Sequence, residues 1–149
     1  FSHNANVDIA YRLAALYVEE MANVRPSKQY RYLTKAKELL EFCLAEHEDP
    51  EYMNLLAYVL LERDDLLEAE VMYHRCLSIE PTIDKGYYNL ARLYLQMEKF
   101  PDAEKASKAA IELEPNNDDN YNQLGLIFHR QGQADQALAA INKAIELKR

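Results

Sequence analysis

One unit, residues 84–117, returns with substitutions before and after itself, and a chain built this way has few folds open to it. Tyr87, Leu90, Ala91 and Tyr94 fall at helical spacing, Ala103, Ser107 and Ala110 follow on a second helix, and Pro115 stands 34 residues after Pro81. Self-similarity at that interval predicts stacked helical pairs, because no single pair can bury its apolar face alone. Function is then expected on a repeated surface and not in a catalytic cleft.

Composition points to an all-α chain. Only 3 Gly and 5 Pro occur in 149 residues, whereas the good helix formers Ala, Leu, Glu and Lys dominate. With 49% hydrophobic residues there is material for a sizeable core. The formal charge of -8 argues against a nucleic-acid partner, since phosphate affinity comes largely from clustered Lys and Arg, and it weakens an anionic-membrane reading for the same reason. No apolar run approaches bilayer length, so membrane insertion is not expected.

Residues 1–6 are polar and are expected to fray. From Val7 to about Asn23, Ala10, Leu13, Ala14, Leu16 and Tyr17 predict one packed helical stripe. Arg25-Pro26-Ser27 ends it, with Ser27 as N-cap of a helix that carries Leu33, Ala36, Leu40, Cys43 and Leu44 to about His47. Ala14 and Ala36 are 22 residues apart, against 12 for Ala57 and Ala69, Ala91 and Ala103, and Gly125 and Ala137. Ten extra residues are therefore expected at the first pair's tip, carrying Arg25, Lys28, Tyr30, Arg31 and Tyr32. Asp49-Pro50-Glu51 is a strong helix start, and Arg63-Asp64-Asp65, Glu98-Lys99 and Gln131-Gly132-Gln133 are expected turns. The organisation predicted is one domain over 1–149, with an enlarged first repeat at 7–49 and regular repeats at 50–83, 84–117 and 118–149.

Cys43 and Cys76 occupy the register of Ala110 and Ala144, a small slot on each second helix, so they are expected to pack as free thiols. Stacked units place equivalent atoms about 10 Å apart, beyond disulfide reach. Free thiols favour a reducing compartment and hence a cytoplasmic location, with a periplasmic one left open because the chain begins at Phe1 and a processed or trimmed start is allowed for.

These positions resemble the tetratricopeptide repeat (TPR) pattern of a large aromatic, Leu-Gly, a Tyr, then Ala, an aromatic and Pro. Tyr121, Leu124, Gly125 and Phe128, followed by Ala137 and Ile141, carry it in the last unit; Tyr87, Leu90, Ala91, Tyr94, Ala103 and Pro115 carry it in the one before. The match covers about residues 50–149, and the first unit departs through its insertion. The resemblance implies a right-handed α-solenoid of about four helical hairpins, whose first helices line a concave groove that docks a peptide or protein segment. It implies a non-catalytic adaptor for assembly of a larger complex, such as a secretion or pilus system.

Beside the packed stripe of the third unit runs a second one, Lys85, Tyr88, Arg92, Leu95 and Gln96, that stacking does not require. Its counterparts are Asp8, Tyr11, Ala15, Val18 and Glu19 in the first unit, Glu51, Asn54, Tyr58, Leu61 and Glu62 in the second, and Asp119, Asn122, Leu126, His129 and Arg130 in the fourth. Tyr and Arg are enriched where proteins bind proteins, and Asn amides pair with either side of an extended backbone. The candidate groove comprises Tyr11, Asn54, Tyr58, Lys85, Tyr88, Arg92, Gln96, Asn122, His129 and Arg130; the plainer alternative is a set of solvated helix positions. Acidic residues crowd the first half of this face and basic ones the second, so a bound segment is expected to run from basic to acidic. A co-chaperone carboxylate clamp, which the family resemblance brings to mind as Lys, Asn, Asn, Lys and Arg over three units, is not expected. Its slots read Tyr11, Ala15, Leu55, Lys85 and Asn89 in one register and Asn54, Tyr58, Asn89, Asp119 and Gln123 in the other, each keeping one expected residue.

No enzyme, cofactor or metal site is expected. A glycine-rich phosphate loop is missing from the sequence, and His3, His47, His74 and His129 lie far apart without ligand spacing. Asp64-Asp65 and Asp118-Asp119 have the ordinary explanation of turns and helix caps. The alternative functions are a scaffold that self-associates through a C-terminal repeat without a polar capping helix, leaving Ile127, Leu138, Ile141 and Ile145 partly open, or a regulatory or targeting segment of a longer protein.

Overall fold

The computed structural model describes residues 2–149, with side chains from residue 5 onward; expectations for Phe1 and for the His3 side chain lie outside the described residues. Among these residues the fold is all-α, with eight helices and no strand: α1 Ser2–Met21, α2 Pro26–Glu46, α3 Pro50–Glu62, α4 Leu66–Ile79, α5 Gly86–Gln96, α6 Phe100–Leu113, α7 Asp118–Arg130 and α8 Ala134–Lys148. Consecutive helices pair as α1/α2, α3/α4, α5/α6 and α7/α8. The chain divides into two compact units, Phe1–Ile83 and Asp84–Arg149. Within the first, α2 also packs on α3; within the second, α6 packs on α7.

Close pairing rests on small residues at matching positions. Ala14, Ala57 and Ala91 on first helices and Ala36, Ala69 and Ala103 on second helices are fully buried, with no side chain beyond Cβ to hold the backbones apart. Cys43 and Cys76 fill the small slot as free, fully buried thiols. Each thiol donates to a carbonyl of the first helix it meets, Cys43 Sγ to Val7 O at 3.5 Å and Cys76 Sγ to Pro50 O at 3.3 Å.

The three regular hairpins share one turn. Asp64, Glu98 and Gly132 take positive φ of 69°, 59° and 78° directly after their helices. The next amide then reaches back five residues, Asp65 N to Leu60 O, Lys99 N to Tyr94 O and Gln133 N to Phe128 O, at 2.8–2.9 Å. This is a Schellman ending, which satisfies carbonyls that a helix otherwise leaves open. Helix starts are equally local: Asp49 accepts from Glu51 N at 2.9 Å and Asn117 from Asp119 N at 3.0 Å.

The first hairpin departs from expectation in several ways. α1 already begins at Ser2, so the polar residues 2–6 are helical. α2 begins at Pro26 with Arg25 as N-cap, which puts Ser27 inside the helix; Pro at the first position lacks only an amide that would have no partner there. The ten extra residues lengthen both helices, to 20 and 21 residues, and leave residues 22–25 as the connection. The lengthened ends meet through the Tyr17 and Tyr32 rings, edge to face at 5.2 Å. Tyr30 accepts a 2.9 Å hydrogen bond from Arg63 Nη2, whose guanidinium lies 5.0 Å from the ring centre. Leu13 and Leu16, expected in the packed stripe, are 40% and 51% exposed.

Candidate functional site

In the first unit, α1 and α3 present the predicted residues side by side. Tyr11 is half-buried, its ring 5.2 Å from that of Tyr52 and packed on Val7, Ala10 and Cys43. Burial raises the Tyr11 hydroxyl pKa, and the nearby Glu51 and Asp49 carboxylates add to the effect. Tyr11 therefore spaces α1 from α3 and keeps one edge for solvent. Asn54 and Tyr58 are half-buried on α3, whereas Leu61, expected on the same open face, is buried at 1%.

In the second unit the structure brings three predicted residues together. Arg92, Leu95 and Gln96 from α5, Glu98 from the Schellman turn and Arg130 from the end of α7 line an open cleft of about 380 Å³. Leu95 is its apolar floor, 8% exposed and so not the open residue the sequence suggested. Arg130 is held in place from two sides, with Nη2 3.7 Å from Glu98 Oε1 and its guanidinium 5.4 Å from the Phe100 ring centre. Planar guanidinium groups beside a primary amide suit a carboxylate or phosphate, which accepts paired hydrogen bonds.

The remaining predicted residues are not among the cleft's lining. Lys85 is an exposed N-cap in the left-handed conformation, φ 61°, ahead of α5 rather than on it. Tyr88 is half-buried, and its carbonyl accepts from Gln123 Nε2 at 2.8 Å, fastening α5 to α7. Asn122 and His129 are exposed on α7. Sequence reasoning missed Glu98 and Phe100 as neighbours of Arg130. Glu98 was legible as a turn residue, but the positive φ that aims it at the next hairpin was not.

Among the described residues no group of three or more His, Cys, Asp or Glu could hold a metal ion, and no helix is long and apolar enough to cross a membrane.

Residues 88–149 match the tetratricopeptide repeat family model. A comparison with the curated proteins finds no match. Among solved structures, a crystal structure of MamA is 21% identical with a TM-score of 0.83, over 96% of this chain and 78% of that one. A MamA structure of AMB-1 is 22% identical with a TM-score of 0.80, over 95% and 79%. MamA from Desulfovibrio magneticus RS-1 is 20% identical with a TM-score of 0.73, over 90% and 75%. At these identities the likeness establishes the fold, an all-α solenoid of helical repeats.

Proposed function

We propose that this chain, whose residues 88–149 match the tetratricopeptide repeat family model, is a protein-interaction scaffold, a non-catalytic adaptor that takes an acidic group of a partner segment in the Arg92–Gln96–Arg130 cleft. The observation that carries the reading is the cleft itself, lined by Arg92 and Arg130 from different helices together with the buried Leu95. The repeats assigned to 7–49, 50–83, 84–117 and 118–149 would each offer the exposed side of a first helix, and such a surface serves assembly of a larger complex. Tyr11, Asn54, Tyr58, Lys85, Tyr88, Asn122 and His129 are proposed as further contacts along those faces.

Charge supports a partner of mixed sign. Residues 1–83 hold 8 basic and 15 acidic side chains, whereas residues 84–149 hold 9 and 10. Taken separately, the first unit's acidic excess favours basic partner residues and the second unit's cleft favours a carboxylate, and charge complementarity of this kind speeds encounter and selects partners. The test is affinity capture of partners with mass spectrometry, comparing wild type with the double variant Arg92→Glu, Arg130→Glu. Partners should be lost, with affinity down about tenfold or more and helicity unchanged. Undiminished capture would move the site elsewhere.

A further inference from the structure

The tip of the first hairpin is the exception in an acidic unit. Residues 21–37 hold Arg25, Lys28, Arg31, Lys35 and Lys37 and no Asp or Glu, although residues 1–83 carry 15 acidic side chains against 8 basic. Four of those basic side chains are ion-paired: Arg12 with Asp8 at 3.2 Å, Lys37 with Glu68 at 4.0 Å, Arg63 with Asp65 at 3.1 Å and Arg75 with Glu48 at 3.5 Å. The rest, Arg25, Lys28, Arg31 and Lys35, are exposed and form no ion pair among the described residues. Steps of three and four put Lys28, Arg31 and Lys35 on one line of α2, and Arg25 heads it as the N-cap. Acids bound this row without neutralising it, Glu20 at the end of α1 and Glu38 just past Lys35.

Local electrostatics does not favour this placement. α3, α4, α6, α7 and α8 each carry Asp or Glu in the first turn, where the helix dipole is positive. α2 has no acid there and no side-chain cap bond, and Lys28 stands in its first turn instead. A sequence that sets aside a local rule without a local gain marks a place where function supplies the compensation. The exposure of Arg25, Lys28 and Arg31 does not depend on what adjoins the hairpin. Residues 20–32 stand where the second hairpin has its turn at 63–65, so a neighbour of regular length turns back before reaching them. The row is also fixed in advance. Tyr30 on the same helix accepts from Arg63 Nη2, Tyr32 meets Tyr17, and Gln29 Nε2 donates to Val24 O at 3.3 Å, so little ordering remains for a ligand to impose.

We propose that this row docks an extended acidic segment of a partner protein, at a site of its own in the first unit, distinct from the cleft of the second. Its length suits an extended chain: from Arg25 to Lys35 a helix rises about 15 Å, which about five extended residues span. Its width argues the same way, since the row is one cation wide and has Glu20 and Glu38 at its two ends. A broad anion such as a bilayer surface or a nucleic-acid duplex brings its charge within a Debye length, about 8 Å, of those carboxylates as well. A narrow strand of Asp and Glu follows the cations alone.

The test is fluorescence anisotropy of a labelled hexaglutamate peptide with the full chain carrying Arg92→Glu and Arg130→Glu, which removes the second unit's cleft from the measurement. Hexaglutamate should bind this protein, more weakly as salt rises, and hexaglutamine should not. Adding Lys28→Glu and Arg31→Glu should weaken binding about tenfold or more. Both reversals place an acid near the positive end of α2, so helicity by circular dichroism should be kept, and Arg25→Glu with Lys35→Glu tests the same row if that variant unfolds. Failure of hexaglutamate to bind the protein without the cleft, or binding undiminished by reversal of the row, would overturn the proposal. Tighter binding of oligothymidylate or of phosphatidylserine vesicles than of hexaglutamate would overturn it too, by giving the row to another class of anion.

Discussion

Replacing Gly125 by alanine sets two known effects against each other, and the structure decides between them. Alanine is favoured over glycine inside a helix by about 1 kcal/mol, and the other three units carry Ala14, Ala57 and Ala91 at this register. A Cβ at position 125, however, would lie 2.7 Å from Ile141 Cγ1, well inside the 3.4 Å at which ordinary contact begins. The residues in register with Ile141 are Leu40, Tyr73 and Ser107, none branched at Cβ in carbon. Isoleucine is, and a helix allows it essentially one χ1 well, so Cγ1 cannot swing clear. Overpacking of this kind costs about 1–3 kcal/mol, and Gly125→Ala should therefore be net destabilising by up to about 2 kcal/mol. In an Ile141→Ala background the obstruction is gone, and the same substitution should stabilise by about 1 kcal/mol. Urea unfolding of the four proteins followed by circular dichroism, at protein concentrations low enough to prevent association, gives the coupling. Equal effects of Gly125→Ala in both backgrounds would show that the close approach does not constrain the hairpin.

The buried thiols and the helix caps yield two further outcomes. Burial, with Glu51 and Glu80 nearby, raises the Cys76 pKa to about 11, so at pH 8 a thiol reagent such as iodoacetamide should label neither Cys76 nor Cys43 until denaturant opens the fold. The folded pKa exceeds the unfolded value near 9, so this contribution to stability is complete below pH 9 and is lost between pH 9 and about 11, where the unfolded thiol ionises first; a midpoint against urea in Cys76→Ala with the same alkaline decline as wild type would contradict it. Asp49→Ala should cost about 1 kcal/mol through loss of the bond to Glu51 N, and Asp49→Asn should restore most of it, as read from shifts in unfolding midpoint.

Much of the fold was legible because its determinants are local. Small residues spaced 12 apart locate three hairpins, and the turn signals at residues 63–65, 98–99 and 131–133 fall where positive-φ residues end α3, α5 and α7. The first hairpin was read less well. An excess of ten residues has no periodic signature of its own, and only the rings of Tyr17 and Tyr32 and the Tyr30–Arg63 contact show that the insertion prolongs helices instead of widening a loop. Burial of Leu61 and Leu95 was missed for a related reason. A helical wheel assigns a residue to a side of its own helix, whereas burial near a helix end depends on the turn that folds over it. Likewise Leu13 and Leu16 have the right period for a core, yet among the described residues they remain 40% and 51% exposed, because period alone does not say which side of a helix meets a neighbour.

The corrections at Leu61 and Leu95 narrow what the candidate face can recognise. With both leucines taken into the core, the side chains left around the second unit's cleft are Arg92, Gln96, Glu98 and Arg130, polar at their tips and set over an apolar floor. Glu98 already sits 3.7 Å from Arg130, in a pair open to water and worth little by itself. On the proposed function, an incoming carboxylate would displace this weak internal partner and meet a guanidinium already oriented by Phe100, with little ordering to oppose binding. The proposed preference for an acidic segment rests on Arg130, placed by Glu98 and Phe100 in a cleft that Arg92 and Gln96 also line, and not on the chain's net charge, which is -8.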